Sequence, residues 1–340
     1  MAIEPILSRL SGASIAVFAP SPVLTVTVET SPSGSEVHFH AGGQGFWVAR
    51  MAAGLGAKVL LCAPLGGESG IVLRSLLEVD GVTVLTVATS GANASYLHDR
   101  RSGTRRKIVE TPSPALKRHE LDELYGVAAT AGLDAGTMLL TGPRHKGVLP
   151  PDTYSRLARD LRANGRNVLA DLTGEPLKAA LRGGIDMLKL SLEELIGAGR
   201  AQSGALDQTV AAIRRLREEG ASNVVISEGP DPALALIGDR LLEVVGPRFA
   251  PVDSSGAGDS MFAALGVGLA AGLDLEGALC LAAAAGALNV TRHGLGSGHP
   301  PEIERLRGRV RIRELDLASV AGPERPGRLD RGDRVVDDGE

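Results

Sequence analysis

The chain has 340 residues, 44% hydrophobic and 22% charged, with 44 glycines and 3% aromatics, a globular composition that excludes disorder over most of its length. Its 36 basic and 40 acidic side chains give a formal charge of −4, which excludes broad attraction for nucleic acid or an anionic membrane. The start of the chain has no basic region followed by a long apolar run, and the longest apolar run, Met261 to Leu273, is shorter than a bilayer span, so a cytoplasmic setting is expected.

In chain order, short β-type runs occur at Ser14 to Phe18, Lys58 to Ala63, Thr83 to Val87, Thr137 to Thr141, Asn167 to Asp171, Met187 to Leu190 and Asn223 to Ser227. Helical patterns lie between and after them, at Gly45 to Gly54, Ser69 to Val79, Pro151 to Asn164, Leu206 to Glu219 and Asp259 to Ala271. This alternation predicts an α/β fold with a doubly wound, mostly parallel sheet and helices on both faces. Two segments alternate polar and apolar residues instead, Leu24 to Thr30 with Glu36 to His40 and Ala94 to His98 with Lys107 to Glu110. They predict the hairpins of a small lid sheet, within about 24–40 and 90–112. The turn Asp99-Arg-Arg-Ser-Gly-Thr-Arg-Arg-Lys107 is strongly basic, either a solvated tip or an anion clamp. One domain is expected over 1–321 and a flexible tail over 322–340, where Pro, Gly, Arg and Asp follow one another without an apolar period. Cys62 and Cys280 lie in apolar runs and read as small core residues.

The most informative segment is Asp253-Ser-Ser-Gly-Ala-Gly-Asp259, which runs directly into an apolar helix. A glycine-rich elbow leaves backbone N–H groups uncovered, and a helix start adds unpaired donors and a positive dipole end, so the segment suits an anion. The N–H groups of Gly256, Ala257 and Gly258 are placed to hold a transferring phosphoryl group, and Asp259 to accept the proton of an attacking hydroxyl. Asp259 is expected to stay ionised near pH 7 because of the helix dipole, or to be a helix N-cap if it has no chemical role. No Gly-x-x-x-x-Gly-Lys-Ser/Thr motif occurs, which excludes a P-loop enzyme.

Three weaker clusters accompany the elbow. Gly42-Gly43-Gln44-Gly45 opens a helix and permits close backbone approach to a polar ligand, or is a tight turn. Ser191 and Glu194 follow a strand and form a capping-box pattern. Ser227-Glu228-Gly229 ends another strand, where loops of parallel sheets bind ligands.

Together these residues resemble the ribokinase-like carbohydrate kinases. Asp253-x-x-Gly-Ala-Gly-Asp259 is similar to their carboxy-terminal signature and Gly42-Gly-x-Gly to their amino-terminal one. Val48-Ala-Arg50, Arg105 to Pro114, Asp171-Leu-Thr-Gly174, Lys189 to Glu194 and Gly258-Asp-Ser-Met261 resemble most the phosphofructokinase B branch, which includes 1-phosphofructokinase and tagatose-6-phosphate kinase. The resemblance covers roughly residues 14–300, with the motifs in the expected order. It implies an ATP-dependent kinase with Asp259 as base, Gly256 to Gly258 as anion hole and Ser227 to Pro232 along the nucleotide. It also implies magnesium carried mostly by phosphates and water, with Glu194 acting through water, and Ser191 replacing the family's asparagine. Asp253, with the Thr291 to Gly294 turn, falls where some relatives hold a monovalent cation. The lid would cover a small-molecule substrate and join two subunits in a homodimer.

The substrate side departs from that pattern. Ala19-Pro-Ser-Pro-Val23 lacks the family's sugar-gripping Asp, and Gln44 and Trp47 stand where the family has Lys and Asn. Losing three polar contacts predicts poor recognition of ordinary hexose phosphates. Arg144, His145 and Lys146, with Arg105 and Arg106, are candidates for an anion site in another position, and Trp47 either stacks on a substrate ring or packs in the core. His38 and His40 alternate with Val37 and Phe39 and are read as exposed polar positions. Two other readings stay open: a nucleotide- or metabolite-binding regulator without efficient catalysis, and a dinucleotide-dependent oxidoreductase using Gly42-Gly-x-Gly, which lacks the second spaced glycine of that fingerprint.

Overall fold

The structure, a computed structural model, describes residues 4–292 and 296–317. The expected tail, 322–340, and residues 293–294 of the expected cation turn lie outside these. The chain begins with α1 (Glu4–Ser11) and β1 (Ser14–Phe18), then the hairpin β2 (Val23–Ser31) and β3 (Gly34–Gly42), then α2 (Gln44–Gly54). β4 (Lys58–Gly66), α3 (Gly67–Leu76) and β5 (Val82–Thr89) lead to a second hairpin, β6 (Ala94–Asp99) and β7 (Arg106–Thr111). There follow α4 (Arg118–Ala135), β8 (Thr137–Thr141), α5 (Asp152–Ala163), β9 (Asn167–Asp171), α6 (Gly174–Gly183), β10 (Ile185–Ser191), α7 (Leu192–Gly197), α8 (Leu206–Glu218) and β11 (Ala221–Glu228). The last part comprises β12 (Asp231–Ile237), β13 (Arg240–Val245), α9 (Ala257–Ala270), α10 (Leu275–Asn289), α11 (Pro300–Arg307) and β14 (Arg311–Leu315).

Ten strands form the main sheet in the order β14-β13-β12-β11-β10-β9-β8-β1-β4-β5. From β11 to β5 every pairing is parallel, and β12, β13 and β14 add an antiparallel edge. The central strands carry apolar runs rather than alternation: Ile15, Ala16, Val17 and Phe18 of β1 are all buried, as a sheet covered on both faces requires. One face packs on α2, α9 and α10 through Val48, Met51, Phe262, Leu265 and Leu279, and the other on α4, α5 and α8 through Leu124, Tyr154, Leu157 and Ile213.

The chain winds outward from β1 through β4 to β5, then returns to the other side of β1 with β8 and proceeds to β11. The order therefore reverses between β1 and β8, and a crevice opens at their carboxyl ends, where α/β sheets bind ligands. The second sheet has the order β3-β2-β6-β7, two antiparallel hairpins joined by the parallel pair β2 and β6. Residues directly opposite share a face. Phe39, Val26, Leu97 and Val109 form an apolar row, and His38, Thr27 and His98 lie in a row on the opposite face.

Candidate active site

The elbow positions a helix start against the crevice. Gly256 adopts φ 75 and caps α9, so Ala257, Gly258 and Asp259 are its first three residues. Asp259 is therefore not the N-cap; the left-handed glycine takes that place, and the carboxylate sits in the first turn, where it lies near the positive end of the helix. The elbow is braced from behind: Asn289 Nδ2 donates to Ser255 O at 2.9 Å, Val252 N–H donates to Val290 O at 2.8 Å, and Asp253 Oδ1 accepts from Ser255 N–H at 2.9 Å. Burial raises the Asp253 carboxyl, but the Ser255 donors with Arg105 and Arg100 hold it below its ordinary value.

Beneath the elbow lies an ion pair. Lys189 at the end of β10 donates to Asp171 at the end of β9 at 2.9 Å, and both residues are buried. A Cβ on Gly258 would lie 2.7 Å from Lys189 Nζ, so the absence of a side chain there brings the ammonium against the anion-hole backbone. Burial alone would lower the lysine, but Asp171, Glu194 and Asp259 outweigh it and raise it, so Lys189 stays cationic.

The Asp259 carboxyl is pushed up to about 7, first by burial and then by the nearby Asp171 charge, with Lys189 and a Gln44 hydrogen bond pulling the other way. This corrects the expectation that the helix start keeps it firmly ionised at neutral pH. Desolvation beside two further carboxylates outweighs the dipole.

On the nucleotide side, Ser191 Oγ accepts from Glu194 N–H at 3.1 Å, and Glu194 Oε2 accepts from Ser191 N–H at 2.8 Å, a complete capping box at the start of α7. Ser227 lies beside Ser191 in the parallel register of β10 and β11. Glu228 ends β11, and Gly229, φ 46, turns the chain into β12. A cleft of about 180 Å³ opens nearby, lined by Ser21, Gly43, Gln44, Gly142, Arg144, Asp171 and Glu194 among others.

The expected substrate residues divide. Gly43, Gln44 and Arg144 line the cleft. Gly42 ends β3 and is wedged between β2 and Trp47; a Cβ there would meet Thr25 Oγ1 at 2.7 Å. Trp47 is half-buried against the core and Phe46 and does not line the cleft. Arg106 turns away to Asp99 on the lid at 3.4 Å, and it is Arg105 that reaches the elbow, 3.9 Å from Asp253. Arg144 Nε lies 2.5 Å from Glu110 Oε1 on β7, with His145 Nε2 3.3 Å from the same oxygen, and the Arg144 guanidinium stacks 5.3 Å from the Tyr96 ring centre. Both side chains are engaged by the lid carboxylate, so no unpaired anion site forms from Arg144 and His145. Asp171, Lys189 and Glu110 carry much of this geometry yet do not stand out as site residues in the sequence. The available signal is Lys189 itself, a charge inside the apolar strand Met-Leu-Lys-Leu, which requires a buried counter-charge.

The family model for the pfkB family carbohydrate kinases matches residues 13–302. The chain belongs to this family. It is 30% identical over 282 residues to the ATP-dependent 6-phosphofructokinase isozyme 2 of Escherichia coli, covering 79% of this chain and 89% of that one. It is 25% identical to the 1-phosphofructokinase of Vibrio cholerae over 276 residues, 81% of this chain and 87% of that one. Escherichia coli phosphofructokinase-2, solved in complex with potassium, superposes with a TM-score of 0.76 at 27% identity over 87% of this chain and 99% of its own; the same relative is also known in a tetrameric inhibited form. Arabidopsis thaliana ribokinase shares the fold at a TM-score of 0.70 and 21% identity, covering 87% of this chain and 99% of its own. The chain is thus a carbohydrate kinase, a phosphotransferase with an alcohol acceptor, built on the ribokinase-like fold. Kinase membership leaves the dinucleotide reading of Gly42-Gly-x-Gly without support.

Proposed function

We propose that this kinase transfers the γ-phosphoryl group of ATP to a hydroxyl of a sugar, sugar phosphate or related small polyol, with Asp259 as base. The observation that carries this reading is the position of Asp259: a carboxylate poised near neutrality, one residue from the Gly256 to Gly258 backbone, above the Lys189 ammonium. The N–H groups of Gly256, Ala257 and Gly258 hold the transferring group, Lys189 balances its charge from below, and Asp259 orients and then accepts the acceptor's proton. Ser191, Ser227, Glu228 and Gly229 line the nucleotide's path, and Asp253 keeps its charge beside it.

Among the described residues no group of three His, Cys, Asp or Glu is arranged to hold a metal, and Asp171 is committed to Lys189. Magnesium would be carried by the nucleotide phosphates and water, and Glu194, which lines the cleft, would act on it through water. Magnesium bound there neutralises phosphate charge. Asp253 and Thr291 are candidates to face a monovalent cation, a role supported by the potassium complex of the relative named above.

The acceptor is proposed to differ from a standard hexose phosphate. Val23, which stands where the family's sugar-gripping Asp is expected, is buried, Gln44 brings no charge to the cleft, and Arg144 is already paired with Glu110. The protein is proposed to act in the cytoplasm as a homodimer joined through the lid; among the described residues no helix is long and apolar enough to cross a membrane. Nothing in the site favours a binding-only regulator. The deciding experiment is an ADP-release screen over hexose phosphates, free sugars, nucleosides and polyols. No turnover of any acceptor would refute the kinase reading, and a wide preference for fructose 6-phosphate or fructose 1-phosphate would refute the altered acceptor.

A further inference from the structure

Three charged residues line the cleft: Arg144, Asp171 and Glu194. Asp171 is answered by Lys189 at 2.9 Å. Glu194 accepts from the N–H and the hydroxyl of Ser191 at 2.8 and 2.9 Å, and these donors are neutral. The reception of an anionic acceptor therefore falls to Arg144.

Two adjacent strands of the lid hold Arg144. Tyr96 on β6 and Glu110 on β7 stand opposite each other in the antiparallel register. The Arg144 guanidinium lies 5.3 Å from the Tyr96 ring centre, and its Nε lies 2.5 Å from Glu110 Oε1. His145 Nε2 reaches the same oxygen at 3.3 Å, and Lys107 Nζ lies 3.5 Å from Oε2. The Glu110 side chain is mostly buried and lies outside the cleft lining, and the hydrogen bond from Arg144 favours its ionised form.

A guanidinium carries five N–H donors, so Arg144 has groups besides Nε with which to touch an anion. Charge opposes that contact. A phosphate ester carries about −1.5 to −2 charges at pH 7. Placed on Arg144, it would face the Glu110 carboxylate across the guanidinium and share the cleft with Glu194. One like charge a few ångströms away near a protein surface weakens binding by about tenfold or more. A neutral polyol meets no such opposition.

We propose that Glu110 is a specificity-determining residue: by cancelling the charge of Arg144 it bars acceptors that already carry a phosphate, and leaves the cleft to uncharged polyhydroxyl compounds. Glu110 acts through Arg144, as a positioning residue, and does not touch the acceptor. The inference rests on the reading of the chain as a kinase whose acceptor differs from a standard hexose phosphate.

The test uses the full chain with ATP and magnesium on matched pairs of a free sugar and its monophosphate, fructose with fructose 6-phosphate and ribose with ribose 5-phosphate. For each pair the preference for the phosphorylated member is taken as the ratio of kcat/KM values and, by titration calorimetry, of association constants. Wild type is expected to favour the free sugar. In Glu110→Gln both ratios rise about tenfold or more in favour of the phosphate. Glu110→Asp, which keeps the charge, stays near the wild-type ratio, and adding Arg144→Ala to Glu110→Gln abolishes the gain. Loosening the lid alone weakens both members of a pair alike and leaves the ratio unmoved. Glu110→Ala replaces the glutamine variant should that fold poorly. An unchanged or lower ratio in a folded variant overturns the inference, because Glu110 would then brace Arg144 as an anion grip or only shape the loop; the altered acceptor survives that result. A wild type that prefers the phosphorylated member overturns both. Proteins that turn over no acceptor refute the kinase reading, and the association constants still decide the role of Glu110.

Discussion

Lys189 and Asp171 meet at 2.9 Å at the carboxyl ends of adjacent parallel strands, 4% and 3% exposed, directly under the backbone of Gly258. A buried pair of this kind contributes little net stability when intact, but removing one partner strands the other charge in a poorly solvated site. Lys189→Met is expected to cost about 3–5 kcal/mol in urea unfolding. Asp171→Asn combined with Lys189→Met should recover much of that stability without recovering phosphotransfer, since the ammonium under the anion hole is still missing. Equal stability of the single and double variants would show that the pair is not coupled.

The raised Asp259 carboxyl makes a prediction for activity. A base must be ionised to accept a proton, so kcat/KM is expected to rise with pH and level off above about 7. Asp259→Asn should lower kcat by about 10²- to 10⁴-fold. Steady-state rates from pH 5 to 9 test this; a profile flat across that range in the wild type would remove Asp259 as the titrating group.

How much of this was legible in the sequence follows from what is local. The elbow is a contiguous string, and its glycines and carboxylates announce an anion site at a helix start. The apolar runs of β1, β8 and β9 announce strands covered on both faces. By contrast, Asp171 and Lys189 belong to one site only because β9 and β10 are neighbours, and the pKa of Asp259 depends on charges from three separate segments. Periodicity also omits α10, which is apolar nearly all round because it lies between α9 and the sheet, and so shows no polar face. The hairpin of β12 and β13 is legible after all, in the Gly238-Asp239 pair between two apolar runs.

The same carboxyl has the opposite effect on stability. Its folded value, about 7, lies above the ordinary 3.8, so between those two pH values the folded chain binds more protons than the unfolded one. The contribution of Asp259 is then most favourable below pH 4 and is lost as pH rises through 7. Asp259→Asn, which cannot ionise, should therefore stabilise the unliganded protein at pH 8, by on the order of 2 kcal/mol, and change it little near pH 4. Thermal melts of both proteins at the two pH values decide; destabilisation at pH 8 would show that the ionised carboxylate is well accommodated.

Glu110 couples the lid to the cleft, through Arg144 at 2.5 Å and His145 at 3.3 Å. Arg144 holds Glu110 below its ordinary value, so the latch stays charged at neutral pH. Glu110→Gln weakens both contacts while preserving shape. The acceptor KM is expected to rise about three- to tenfold, with the KM for ATP nearly unchanged. A parallel rise in both constants would mean that the latch orders the whole site rather than its acceptor end.

The outer lid face makes the last prediction. Phe39 pairs with Val26, Val26 with Leu97 and Leu97 with Val109 across the four strands, so their side chains share one face. Thr27, Tyr96, His98 and Glu110 lie on the other, and Glu110 and Tyr96 turn that face toward the Arg144 loop. The apolar row therefore points away from the cleft, with Val37 54%, Phe39 52% and Val109 48% exposed. Apolar side chains clustered on a thin sheet are better placed against another surface than in water, and a second copy of the same sheet is self-complementary. Phe39→Glu puts a charge in that contact. Analytical ultracentrifugation should find the wild type dimeric and Phe39→Glu largely monomeric at micromolar concentration, with a correctly folded chain. A monomeric wild type, or a variant that dimerises equally well, would place the contact elsewhere.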